Sequence, residues 1–261
     1  MYYRRLDTLI YILVGLVPVG FMTTYVIALM NGHVEAFLPY ISDTGTEPPE
    51  SCIFAQILAL GAFIQILIAF IRYHHVKLII QFVGISSLPT VNILGFCIGI
   101  VSSIGVTIVG SFQETNVVTM HFFGAGLAYG GLFFFSLIQT YLSYKLREFL
   151  KSDRKFLLAR VILLIISFTL SMMFSIFSSI SRSKFDGDNP RKWLPSDGGY
   201  LEHIVSTASE WILTFCLMGL LVSFSFDFRL IKVAYPSVHD PNLEKFNSSG
   251  IRNSNYETFN E

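Results

Sequence analysis

The sequence predicts an all-α, polytopic membrane protein: a bundle of six transmembrane helices with both termini in the cytosol. Three observations lead there. The chain of 261 residues is 52% hydrophobic and only 14% charged, with 25 Phe, whereas a soluble domain is about 45–50% apolar and about 25% charged. The apolar residues gather into six runs, each of roughly the 20 residues that a bilayer core requires. Lys and Arg collect on alternate connections between those runs, as the positive-inside rule demands. Net charge is zero and gives no reason to expect a nucleic-acid partner.

The spans cover about 9–30, 51–71, 91–111, 120–142, 156–180 and 204–226. Residues 1–230 read as one six-helix transmembrane domain and 231–261 as a disordered cytosolic tail. In lipid every backbone polar group needs an internal partner, so the spans are expected to be helices. The first run is too long for a cleavable signal peptide. Its Gly15, Pro18 and Gly20 suggest a kink or close packing, which membrane helices tolerate. Gly95, Gly99 and Gly105 in span three, and Gly126, Gly130 and Gly131 in span four, permit close approach of helices. Gly126-x-x-x-Gly130 matches the GxxxG packing motif. Asn92, Gln56, Gln65, Gln113 and Gln139 can hydrogen-bond between helices. Arg160, one turn into span five, is expected to snorkel to the headgroups and is given no site role.

Orientation follows from the bases. Arg4 and Arg5 precede span one, and Arg72 and Lys77 follow span two. Lys145, Arg147, Lys151, Arg154 and Lys155 follow span four, and Arg229 and Lys232 follow span six. The opposite side has no Lys or Arg at 31–50 or 112–119; its bases are Arg182, Lys184, Arg191 and Lys192 in the longest loop. The stretch PYISDTGTEPPES at 39–51 is therefore expected to be exoplasmic. Asp43, Thr44 and Gly45 read as a turn, with the Asp side chain folded onto backbone N–H groups and Gly45 free to take positive φ. Pro48 and Pro49 suit the start of a helix, with Glu47 and Glu50 near its positive dipole end. PSDGGY at 195–200 has the same turn chemistry ahead of span six. Trp193, Tyr200 and Trp211 sit where interface aromatics are expected.

These residues resemble a known family. PYISDTGTEPPESC at 39–52, with Ser42, Asp43, Thr44 and Gly45 as its core, is similar to the first exoplasmic loop of the damage-regulated autophagy modulators (DRAM), part of a wider six-span group with FRAG-type and SFK-type members. NILGFCIGIVSSIGVTIVGSFQ at 92–113 looks like the family's third span. His121, GAGLAYG at 124–130 and SYK at 143–145 resemble the fourth. KWLPSDGGYLEHIVSTASEW at 192–211 and DF at 227–228 resemble the last loop and span six. The resemblance runs over roughly residues 5–230. It implies a multi-pass lysosomal or late-endosomal protein that promotes autophagy, with no cofactor.

Four ionisable residues form a candidate exoplasmic cluster: Asp43, His121, His203 and Glu210. Glu210 lies about seven residues into span six, roughly 10 Å deep, where a carboxyl should face the bundle interior with a partner. His203 precedes it on the same helix face, and His121 opens span four from the same side. A Glu210–His121 pair is expected, as a proton-sensitive latch or as a buried pair that fixes register, with a protonated Glu210 as the other alternative. No metal-ligand spacing, phosphate loop or nucleophile elbow is present, so neither metal, cofactor nor catalytic residue is assigned. Cys52, Cys97 and Cys216 read as small hydrophobes.

Tyr256-x-x-Phe259 in the tail has the form of a sorting signal for clathrin adaptors, and Asn247-Ser-Ser is a sequon on the wrong side of the membrane for glycosylation. The partners expected are the lipid bilayer, clathrin adaptors, and autophagy or lysosomal membrane proteins. The reading is a non-enzymatic regulator of autophagy in the lysosomal membrane. A lipid-remodelling enzyme or scramblase, and a transporter or channel, are the alternatives; late endosome, Golgi and plasma membrane are the alternative locations.

Overall fold

The structure is a computed structural model that describes residues 2–3, 5–150, 153–229 and 231–234. Residues Arg5–Ile231 form one compact unit. Its helices are α1 (Asp7–Met30), α2 (Glu50–Val83), α3 (Leu88–Ser111), α4 (Val118–Ala125), α5 (Gly131–Lys145), α6 (Arg147–Leu150), α7 (Arg154–Lys184) and α8 (Tyr200–Phe228). A π-helical turn, Gly126–Gly130, joins α4 to α5 into one crossing. The result is six helices long and apolar enough to cross a membrane. In the other unit, residues Tyr2–Tyr3 (β1) and Val233–Ala234 (β2) pair antiparallel, Tyr2 with Ala234 and Tyr3 with Val233.

The helices form where the apolar runs predict them, but several ends lie elsewhere. α2 continues a dozen residues past its expected end and is about 51 Å long at 1.5 Å per residue. Arg72 and Lys77 thus lie on the helix rather than in a loop. The cause is a second apolar stripe: Val76 and Ile80 pack with Leu88, Leu142, Leu146 and Leu150 in a core of their own. The helix stops at Gly84, which takes φ +77° as a left-handed cap. α1 runs through Pro18 without interruption. Asp153 caps α7, its Oδ1 accepting from the backbone N–H of Lys155 at 3.0 Å.

Close helix approach uses glycine, though not at the GxxxG pair. A Cβ at Gly126 or Gly130 would meet nothing within 4 Å. The contacts fall beside that pair: a Cβ at Gly105 would lie 2.6 Å from Leu127 Cβ and 2.7 Å from the Gly124 carbonyl oxygen, and one at Gly131 would meet Ser102. The π-turn shifts the face of the crossing between α4 and α5, which puts Gly124 and Gly131 toward α3.

The end of the bundle where α1 begins and α8 ends holds a buried charge network. Arg72, Arg160 and Asp227 are each at most 4% exposed. Arg72 Nη1 lies 3.2 Å and Arg160 Nη2 3.4 Å from Asp227 Oδ2. Gln139 accepts from Arg72 Nε, Ser143 from both guanidiniums, and Ser223 from Arg160. Arg160 also lies 4.1 Å from the Phe224 ring centroid. The expectation that Arg160 snorkels outward is therefore corrected. With a carboxylate and three hydroxyl or carbonyl acceptors at hand inside the bundle, the guanidinium has no need of the headgroups.

Candidate functional site

At the other end of the bundle the connection after α1 folds inward as a plug. Its turn, Asp43–Gly45, is buried. Thr44 Oγ1 donates to the Ile41 carbonyl at 2.7 Å and Thr46 Oγ1 to the Asp43 carbonyl at 2.9 Å, so the threonines make the local turn bonds. Asp43 does not fold onto backbone N–H groups as the sequence suggested, and its Oδ2 has no hydrogen-bond partner. Gly45 does not take positive φ. Glycine fits there because the Phe54 ring of α2 occupies the space of a Cβ. PSDGGY differs: Asp197 Oδ2 accepts from Leu194 N–H at 2.8 Å, and Gly199 takes φ +79° ahead of α8.

Four anchors hold the plug. Glu210 Oε2 on α8 accepts from the Ile41 backbone N–H at 2.8 Å. Trp211 Nε1 donates to the Pro39 carbonyl at 3.0 Å. Ser42 Oγ donates to Glu114 Oε2 at 2.7 Å, and Glu114 in turn pairs with Arg182 of α7. Arg191 Nη1 donates to Thr46 Oγ1 at 3.2 Å and to Glu47 Oε1 at 2.8 Å. A further contact, from the His33 ring to the fully buried Glu50 carboxyl, ties the end of α1 to the start of α2.

The plug separates two cavities. The inner one, about 130 Å³, is mostly apolar and lies among α1, α2, α3, α4, α5 and α8; Ile41 and Ser42 roof it, and Glu210, His121, Tyr129, Thr214 and Gln65 supply its other polar groups. The outer one, about 330 Å³, is bounded by Tyr40, Asp43, Glu114, Arg182, Arg191 and Trp193, with Thr115 and Asn189 beside them.

Three of the four candidate residues divide between these spaces, and His203 lies behind the outer one against Trp193 and Tyr40. Glu210 and His121 share the inner cavity, but they do not pair. His121 Nδ1 is 2.7 Å from the Phe112 carbonyl, a local bond that closes the turn before α4, and the nearer partner for Glu210 is the plug backbone. Asp43 lies on the outer cavity. His203 stacks on Trp193 at 4.3 Å between centroids and meets Tyr40 edge-on at 5.0 Å, so it serves as an aromatic surface. Tyr256 and Phe259 lie outside the described residues.

Charge is unevenly satisfied here. Burial works against ionised Glu114, but the Arg182 guanidinium and the Ser42 hydroxyl outweigh it and hold the carboxyl below its ordinary range. Burial pushes the Asp43 carboxyl well above its ordinary range, and the charges of Glu114 and Glu210 push the same way. Sequence reasoning missed Glu114, Arg182 and Tyr40. The available signal was Glu114 itself, an acid beside a span in a segment with no base of its own. Among the described residues no group of His, Cys, Asp and Glu is placed to hold a metal ion.

Comparison with known proteins follows the same bounds. The family model described as "Frag1/DRAM/Sfk1/Cwh43P N-terminal domain" matches residues 7–231. The chain is 33% identical over 213 residues to DNA damage-regulated autophagy modulator protein 2 of Rattus norvegicus, covering 81% of this chain and 79% of that one. It is 34% identical over 216 residues to DNA damage-regulated autophagy modulator protein 1 of Xenopus laevis, covering 82% and 87%. It is 33% identical over 221 residues to the corresponding protein 1 of Homo sapiens, covering 85% and 90%. No solved structure matches. The match spans the whole bundle, from the first residue of α1 to Ile231, and the chain belongs to the Frag1/DRAM/Sfk1/Cwh43P family.

Proposed function

We propose that this protein is a non-enzymatic modulator of autophagy in the lysosomal or late-endosomal membrane. One observation carries the reading: relatives named as autophagy modulators align over 81–85% of the chain at about a third identity. The distribution of Lys and Arg supports cytosolic termini, with the plug and its two cavities on the lumenal side. The tail would then offer Tyr256 and Phe259 to clathrin adaptors. The test is the tagged full-length protein in cells lacking it, scored for overlap with a lysosomal marker and for autophagic flux. Lysosomal signal with restored flux supports the reading. Plasma-membrane signal with unchanged flux overturns it. A lipid-handling role is the second reading, favoured by the apolar inner cavity with Glu210 on its wall; lipid turnover or scrambling by purified protein, lost in Glu210→Gln, would replace the first with it.

A further inference from the structure

The outer cavity has the features of a ligand site rather than of a packing gap. Its volume, about 330 Å³, is that of small-molecule sites, which start at about 300 Å³. Its walls come from five segments: Tyr40 and Asp43 from the plug, Glu114 and Thr115 from the turn after α3, Val118 from the start of α4, Arg182 from α7, and Arg191 and Trp193 from the loop before α8.

The charges on these walls do not close on themselves. Arg182 is taken by Glu114 and Arg191 by Glu47. That leaves Asp43, 4% exposed, with no cation within ion-pair distance among the described residues. Its Oδ2 is buried without a hydrogen-bond partner. A carboxyl in that position costs free energy whether ionised or not, unless a donor reaches it. The turn itself gains nothing from it, because Thr44 and Thr46 already make the turn bonds. A serine or asparagine would serve the local structure as well. Tyr40 and Trp193, whose ring faces are already engaged by Arg182 and by His203, wall the cavity beside the carboxyl and give the carbon portion of an organic ammonium apolar side chains to pack on.

We infer that the outer cavity binds an ammonium group, which donates to Asp43 while Tyr40 and Trp193 flank it. Two sources carry that chemistry: a free small amine, and the ethanolamine headgroup of a phospholipid reaching in from the adjoining leaflet. A simple monovalent cation lacks the directed N–H donors that the orphaned Asp43 oxygen calls for and the organic surface that packs on the rings. The inference stands independently of the autophagy reading.

The test uses the full chain in nanodiscs of phosphatidylglycerol alone and of phosphatidylglycerol with phosphatidylethanolamine. Thermal unfolding is followed as ethanolamine hydrochloride is added, with sodium chloride at equal ionic strength as control. A rise in unfolding temperature with ethanolamine in the phosphatidylglycerol discs identifies a free amine. Higher stability in the phosphatidylethanolamine discs, with no further rise on adding ethanolamine, identifies the headgroup. In either case Asp43→Asn, which keeps shape and removes charge, should weaken the effect about ten- to a hundred-fold in apparent affinity. Val118→Trp, which narrows the cavity from its exposed wall and alters no charge, should weaken it too and covers the case in which Asp43→Asn does not fold. No stabilisation from either source, an equal effect of sodium, or full binding by both variants overturns the inference.

Discussion

The Glu210 carboxyl on α8 accepts a hydrogen bond from the Ile41 backbone N–H at 2.8 Å, so a side chain ten residues into a membrane helix holds the loop that closes the bundle. The bond joins a buried acid of the last crossing to the first connection of the chain. It converts a loop rich in Pro and Gly into part of the core.

The first prediction tests that anchor. Glu210→Gln retains an acceptor for Ile41, whereas Glu210→Ala leaves a buried N–H unpaired at a cost of about 1–3 kcal/mol. A cysteine placed at Ala125, on the wall of the inner cavity beneath the plug, should label slowly with a water-soluble maleimide in the parent and in Glu210→Gln. Labelling should accelerate several-fold in Glu210→Ala. Equal rates in all three would mean that Trp211 and Glu114 hold the plug unaided.

Acid dependence is the second. Asp43 holds its proton more tightly in the folded chain than in the unfolded one, because of burial first and then Glu114 and Glu210. As the pH rises past the ordinary carboxylate range, the unfolded chain ionises first, so the Asp43 contribution to stability falls. Glu114 has the opposite sign: Arg182 stabilises its charge, and that contribution is present at neutral pH and lost in acid. Arg182 and Arg191 are the cations that act on Asp43 from α7 and from the loop before α8. Unfolding temperature should therefore fall in the parent relative to Asp43→Asn as the pH rises above the ordinary carboxylate range. Glu114→Gln should instead reduce the loss of stability at lower pH. Parallel curves for parent and Asp43→Asn would remove Asp43 as a source of pH dependence.

How far the sequence could be read shows in these residues. The six crossings were legible because a run of some 20 apolar residues has one solution in lipid. The end of α2 was not, since hydropathy counts Arg72 as polar and closes the span there. Only the fold brings Asp227 and Gln139 to that guanidinium and lets the helix continue. Glu210 was legible as an ionisable residue in an apolar helix. Its partner was not: every residue except proline offers a backbone N–H, so the choice of Ile41 leaves no mark in the sequence. His121 was assigned to Glu210 by shared side and depth, but a carbonyl nine residues away, that of Phe112, reaches it first.

The third prediction concerns the Arg72–Asp227–Arg160 network. Removing the one carboxylate between two buried guanidiniums should be far worse than removing one of the cations. Asp227→Asn is expected to lose about 3–5 kcal/mol, seen as a large drop in unfolding temperature in detergent. Arg160→Gln should lose less, because Arg72 still neutralises Asp227. The double variant should be less destabilised than the sum of the singles, since each removes the partner that the other leaves behind. Strict additivity would show that the three groups do not act as a unit.

The fourth separates the GxxxG pair from the glycines that make contact. At Gly105 an added Cβ would meet Leu127 Cβ at 2.6 Å and the Gly124 carbonyl at 2.7 Å, and backbone cannot move aside as a side-chain tip can. Gly105→Ala should therefore separate α3 from the α4–α5 crossing and cost about 1–3 kcal/mol through overpacking. Gly126→Ala and Gly130→Ala meet open space, so each should be neutral or slightly stabilising, by up to about 1 kcal/mol, through the higher helix propensity of alanine. The measurement is the unfolding temperature of the three variants side by side. Loss at Gly126 or Gly130 comparable with that at Gly105 would show that those two glycines meet a surface outside the chain, as a dimer would supply.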